Sequence, residues 1–174
     1  MTEKQNKIKE LIVKKKIFNK ENIFNILLIT LIFWVDRLAK NKIIDIFSTQ
    51  EVSIFINNFL NFDLVWNQGL GFGLFNLNAG IGYHLFSILI FTIILVIIYL
   101  GIKSNSLEKM SYSLITGGAI GNLYDRISYF AVPDFIDFHI DSFHWFTFNI
   151  ADIFISIGVL NLVIIEILIN KKNA

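Results

Sequence analysis

The chain has 174 residues, enough for one compact unit, and 55% of them are hydrophobic, with a mean hydropathy of +0.62 and 18 phenylalanines. That is too apolar for an ordinary water-soluble domain and points to a membrane protein. Without cysteine there is no disulfide scaffold, thiol nucleophile or Cys-based metal site; the net charge of +1 says little, but the one basic cluster lies beside an apolar span and has no interleaved aromatics, which argues against nucleic-acid binding.

Residues 1–22 form a basic leader, in which Ile8, Leu11 and Ile12 at helical spacing suggest an interfacial helix on the cytoplasmic leaflet. Residues 23–172 read as a single membrane domain with four spans, each near the ~20 helical residues that ~30 Å of hydrocarbon requires. Span 1 covers about 23–44 and carries Asp36 and Lys40 at i, i+4 with the acid first, which reads as a structural pair that neutralises charge near the membrane. Asp36, Arg37 and Lys40 stand where a cleaved signal peptide would need small residues, so the span is read as retained.

An external segment follows, about 45–80. In it Phe62, Leu64 and Trp66 alternate with period two and predict a strand, and "EVSIFIN" (Glu51 to Asn57) is a second candidate. The glycines of "WNQGLGFGLF" (Gly69, Gly71, Gly73) lack the βαβ context of a phosphate-binding loop. Span 2, about 81–102, is the most apolar. Span 3, about 110–127, is weak in hydropathy and rich in small residues. There Gly117 and Gly121 allow close helix approach, while Gly118, Asn122, Asp125 and Arg126 form one stripe, readable as a functional face or as a packing seam capped by an Asp125–Arg126 pair.

The second external segment, about 128–149, is read as a short loop whose stretch "HIDSFHWFTF" suits the headgroup level. Span 4, about 150–169, opens on Asn149 with Asp152 one turn inside, an expensive place for a carboxylate that needs a reason. Seven lysines precede span 1, two lie between spans 2 and 3, and two follow span 4. Eleven of fifteen basic residues therefore fall on one side, which places both termini in the cytoplasm and Asn149 and Asp152 near the opposite face. The fold class is thus a mainly α membrane protein of four transmembrane helices with a small extracytoplasmic β-sheet and a short external loop.

Most catalytic kits are missing. There is no HExxH motif, His84, His139 and His144 lack metal-ligand spacing, and no serine sits in a GxSxG elbow. Carboxylates near one membrane face remain. Asp134, in an apolar context, and Asp152 could split their pKa values and serve as acid and base, although eighteen residues of separation do not show that they meet. A small transporter using Asp125, Arg126 and Asp152 as a charge path, or a non-catalytic assembly protein, would draw on the same residues.

Five blocks carry a family resemblance: "DRLAK" (Asp36 to Lys40), "NQGLGF" (Asn67 to Phe72), "GGAIGNLYDR" (Gly117 to Arg126), "VPDF" (Val132 to Phe135) and "FNIAD" (Phe148 to Asp152). In order and placement they resemble bacterial lipoprotein signal peptidase, or signal peptidase II. The resemblance implies an intramembrane aspartyl endopeptidase of the bacterial cytoplasmic (inner) membrane. Such an enzyme removes signal peptides from diacylglyceryl-modified prolipoproteins, cutting before the lipidated cysteine near the outer face. It implies Asp134 and Asp152 as the catalytic pair; Asn67, Gly69, Asn122, Arg126 and Asn149 as substrate-binding residues; and Asp36, Lys40 and Asp125 as structural support. It further implies no metal or other cofactor, membrane lipid as surroundings, inhibition by globomycin and a monomeric state. The chain departs from the family's usual pattern at Ala39, Gly71 and Pro133.

Overall fold

The computed structural model describes residues 19–49, 52–69 and 81–173. The basic leader up to Phe18, and Gly71 and Gly73 of the glycine-rich segment, lie outside the described residues. Four helices, α1 (Lys20–Thr49), α2 (Ile81–Lys103), α3 (Ser106–Tyr129) and α4 (Ile150–Asn173), carry a four-stranded sheet of β1 (Ile54–Asn57), β2 (Leu60–Asn67), β3 (Val132–Ile140) and β4 (Phe143–Phe148).

Among the described residues three helices are long and apolar enough to cross a membrane: α1, α2 and α4. Their outward faces are lined with exposed side chains such as Leu31, Trp34, Leu89, Leu95, Ile164 and Leu168. In water such a belt would be an aggregation surface; in a bilayer it is simply the lipid-facing side. The protein is a multi-pass membrane protein. α1 has 30 residues, about 45 Å at 1.5 Å per residue, and outruns its predicted span at both ends because polar residues extend it past the apolar stretch.

α3 is the least apolar helix and the central one, packing against α1, α2 and α4. It starts at Asn105, whose side chain accepts hydrogen bonds from Leu107 N and Glu108 N, and ends at Phe130 in the left-handed region, φ 54°. Its glycines set the spacing. A Cβ on Gly117 would stand 2.9 Å from Ile32 Cβ on α1, and one on Gly118 only 2.5 Å from the Ala151 carbonyl oxygen on α4. The backbones of α3 and α4 thus meet almost directly, as small residues permit between membrane helices.

The sheet is antiparallel in the order β1-β2-β3-β4. β2 forms where alternation predicts it and β1 within the second candidate stretch, although a bulge between Phe62 and Val65 leaves Phe62 and Leu64 half-buried and turns Trp66 outward. The predicted loop over residues 128–149 is corrected: it is the β3–β4 hairpin, half of the sheet. Its strands escaped the period-two reading because β3 is buried on both faces from Val132 to Phe135 and carries Asp134, Asp137 and His139 at buried positions. Pro133 is tolerated in β3 because β4 pairs only from Ile136 onward, which leaves Val132–Phe135 with a single neighbouring strand.

Gly118→Ala should lower stability by about 1–3 kcal/mol, the usual penalty of overpacking a close backbone contact. Thermal unfolding in detergent measures it, and an unchanged midpoint would mean that α3 and α4 do not meet through this contact.

Candidate active site

Four aspartates converge where the sheet meets the helices, and their partners divide them into two pairs. Asp36 on α1 and Asp125 on α3 are fully buried and held by cations. Lys40 Nζ donates to Asp36 Oδ2 and to Asp125 Oδ2, each at 2.7 Å, and Arg37 donates to Asp125 Oδ1. Two positive and two negative charges close the cluster, the condition under which buried charges are tolerated. Asp125 therefore pairs with Lys40 and Arg37 rather than with Arg126, which corrects the Asp125–Arg126 cap considered above.

Arg37 is the residue that sequence reasoning missed. The signal was present: Arg37 and Lys40 lie within four residues of a single acid, Asp36, so a second acid had to come from another helix. Its guanidinium also lies 5.1 Å from the centre of the Tyr124 ring.

Asp134 and Asp152 differ from that pair. Among the described residues neither has a cation within 4 Å; neutral amides hold both. Asn67 Nδ2 donates to Asp134 Oδ2 at 2.8 Å, Asn149 Nδ2 to Asp134 Oδ1 at 2.6 Å, and Asn122 Nδ2 to Asp152 Oδ1 at 2.8 Å. Each amide is turned by what its oxygen accepts: Gly69 N on Asn67, Asp152 N on Asn149 and Lys40 Nζ on Asn122. The charge cluster thus reaches Asp152 through one asparagine.

The place of Asp152 on α4 now has a local cause. Asn149 is the helix N-cap, and its backbone N–H donates to Asp152 Oδ2 at 3.1 Å while its side-chain oxygen accepts from Asp152 N at 3.1 Å. This reciprocal capping box, with Asp36 Oδ1 accepting from Ala151 N at 2.9 Å, satisfies the open end of α4 and sets a carboxylate against its positive pole.

A cavity of about 490 Å³ brings together Asn67, Asn122, Arg126, Asp134, Asn149 and Asp152. Apart from Thr147 and Ser156 its remaining wall is apolar, including Ile153, Ile157 and Leu160 along α4. Gly69 is buried and does not line it; its carbonyl accepts from Arg126 Nη2 at 3.2 Å, tying that side chain to the Asn67 turn. Arg126 Nη1 donates to the Asn122 carbonyl at 3.2 Å. Burial pushes the Asp134 carboxyl up and the neighbouring Asp152 charge adds to this, while hydrogen bonds from Asn67 and Asn149 pull it back. The result is a pKa raised to about 6.

Residues 28–169 match the family model described as signal peptidase (SPase) II. The chain belongs to the signal peptidase II family. It is 45% identical over 158 residues to the lipoprotein signal peptidase of Pelagibacter ubique, covering 90% of this chain and 95% of that one. It is 33% identical over 150 residues to that of Anaplasma phagocytophilum, covering 85% and 94%. A solved structure described as a bacterial membrane enzyme superposes with a TM-score of 0.70 at 30% identity, over 86% of this chain and 90% of its own. Family membership makes the chain a protease.

Replacing Lys40 by Met would leave the buried Asp36 without a cation and Asp125 with Arg37 alone, and chemical denaturation should show a loss of about 3–5 kcal/mol, the usual consequence of removing one partner from a buried ion pair. The double variant Lys40→Met/Asp36→Asn should recover part of it; no recovery would mean that Lys40 matters through packing alone.

Proposed function

We propose that the chain is an intramembrane aspartyl endopeptidase that removes signal peptides from diacylglyceryl-modified prolipoproteins, cutting before the lipidated cysteine. The observation that carries this reading is the division of the four aspartates. Asp36 and Asp125 are ion-paired with Lys40 and Arg37, whereas Asp134 and Asp152 share a cavity and are held by neutral amides. The second pair faces open space with no cation partner among the described residues, the arrangement an acid–base pair needs.

In the proposed mechanism the pair works with one proton on it, and Asp134, whose carboxyl is raised to about 6, is the member that hydrogen-bonds the scissile carbonyl as the acid. Asp152 accepts a proton from the attacking water, whose oxygen bonds to the carbonyl carbon as the carbonyl oxygen takes up charge. The tetrahedral intermediate collapses when its C–N bond breaks and the leaving amine receives the proton from Asp152. Arg126 and the three asparagines bind the substrate backbone and lipid carbonyls, and the apolar wall along α4 takes the acyl chains.

In this reading α3 crosses the membrane with the other three helices, both termini are cytoplasmic, and the sheet lies on the outer face of the bacterial inner membrane. The enzyme works as a monomer without a cofactor in its reaction, and globomycin binds in the same cavity.

The test is cleavage of one purified prolipoprotein in detergent, with and without its diacylglyceryl group. Only the lipidated form should be cut, and Asp134→Asn or Asp152→Asn should each reduce the rate by at least roughly 10²–10⁴-fold, the share that acid–base groups supply. Full cleavage by either folded variant would sink the proposal.

The pH profile gives a second test. The reaction needs one proton on the pair, so kcat/KM should fall as pH rises past the raised Asp134 value. Asn67→Ala removes a donor that holds this value down, so the alkaline limb should move to higher pH. A limb that stays in place or moves down would remove Asp134 from the proton-carrying role.

A further inference from the structure

The face of the sheet away from Asp134 holds a second polar cluster that the proposed reaction does not use. Asp137 and His139 lie two residues apart on β3 and so project to one face, and His144 on β4 is the cross-strand partner of His139. One ligand atom from each of the three lies within 4.8 Å of the others. His144 Nδ1 is 2.7 Å from Asp137 Oδ2, His139 Nδ1 is 3.6 Å from the same oxygen, and the imidazoles stack with centroids 5.2 Å apart.

Hydrogen bonding does not account for this arrangement. The contact to His144 satisfies Asp137, but His139 is only 7% exposed and its Nδ1 has no partner; 3.6 Å is too long for a hydrogen bond. Asn61, the cross-strand partner of Asp137 on β2, presents a second buried atom without a partner, Oδ1. Two orphaned buried atoms beside a buried carboxylate are costly unless something else binds them.

We propose that Asp137 Oδ2, His139 Nδ1 and His144 Nδ1 bind a divalent transition-metal ion, with Zn²⁺ the best match to two imidazoles and one carboxylate. Ligand atoms around a tetrahedral zinc lie roughly 3.3–3.4 Å apart, close to the His139–Asp137 separation. The shorter His144 contact opens by a small rotation of a side chain that is 58% exposed. The fourth position goes to water, for which Asn61 Oδ1 is an acceptor. The ion would staple the β3–β4 hairpin, whose base carries Asp134 and leads into Asn149. It is separate from the proposed reaction centre and takes no part in peptide cleavage.

The experiment is calorimetric titration of the full-length, tag-free protein in detergent with ZnCl₂, alongside melting curves with Zn²⁺ and with Mg²⁺. Wild type should bind one Zn²⁺ per chain and melt at a higher temperature with Zn²⁺ but not with Mg²⁺. His144→Ala, at an exposed position, should weaken binding by at least ~10-fold, a loss typical even of outer-shell changes at metal sites. His84→Ala, which removes an exposed histidine elsewhere, should leave binding unchanged. No stoichiometric binding by wild type, or an equal loss in both variants, would overturn the assignment.

Discussion

Burying Lys40 is the constraint on which the rest of this structure depends. Its ammonium has no exposure and three acceptors: Asp36, Asp125 and Asn122. An ammonium in a low-dielectric interior survives only when its donors are matched, so α1 and α3 must approach until all three oxygens are in reach. Gly121 makes this possible, because a Cβ there would stand 2.7 Å from Asp36 Oδ2. The other oxygen of Asp36 caps Ala151 N, so the same cluster fixes the start of α4. One buried cation therefore sets the mutual position of three helices.

The proposed chemistry inherits its geometry from this joint. Asn122 has its oxygen on Lys40, so its amide hydrogens face Asp152. An arginine or lysine in place of the amides would bind the carboxylates more strongly, but it would hold them ionised and remove the acid from an acid–base pair. Neutral donors orient a carboxyl without fixing its charge. Burial and the mutual repulsion of Asp134 and Asp152 are then free to raise one member to about 6.

What was legible in the sequence follows the range of the interactions involved. The helices announce themselves as apolar stretches long enough to span a bilayer and β2 through its period of two, and Asp36–Lys40 is a contact between successive turns of one helix. The β3–β4 hairpin did not, because its buried positions hold Asp134, Asp137 and His139, and polar residues inside a sheet erase the alternation that marks a strand. The partnership of Arg37 with Asp125 spans 88 residues, and the meeting of His139 with His144 depends on a bulge between Phe138 and His139. Asp134 and Asp152 could be picked out by motif, yet the asparagines that distinguish them from Asp36 and Asp125 act only once the chain is folded.

The weak hydropathy of α3 has the same origin. Hydropathy records contact with lipid, and α3 is enclosed by α1, α2 and α4 and has little such contact to make. α2, with the most apolar sequence, has only 11% of its span buried within the protein. A helix enclosed by protein can carry glycines that admit its neighbours' backbones and an Asn122–Asp125–Arg126 stripe whose partners are side chains rather than hydrocarbon. The polar centre of the molecule is therefore located on the one helix that pure apolarity would not select. That placement follows from the cost of exposing ionisable groups to apolar surroundings: they need a shell of other helices.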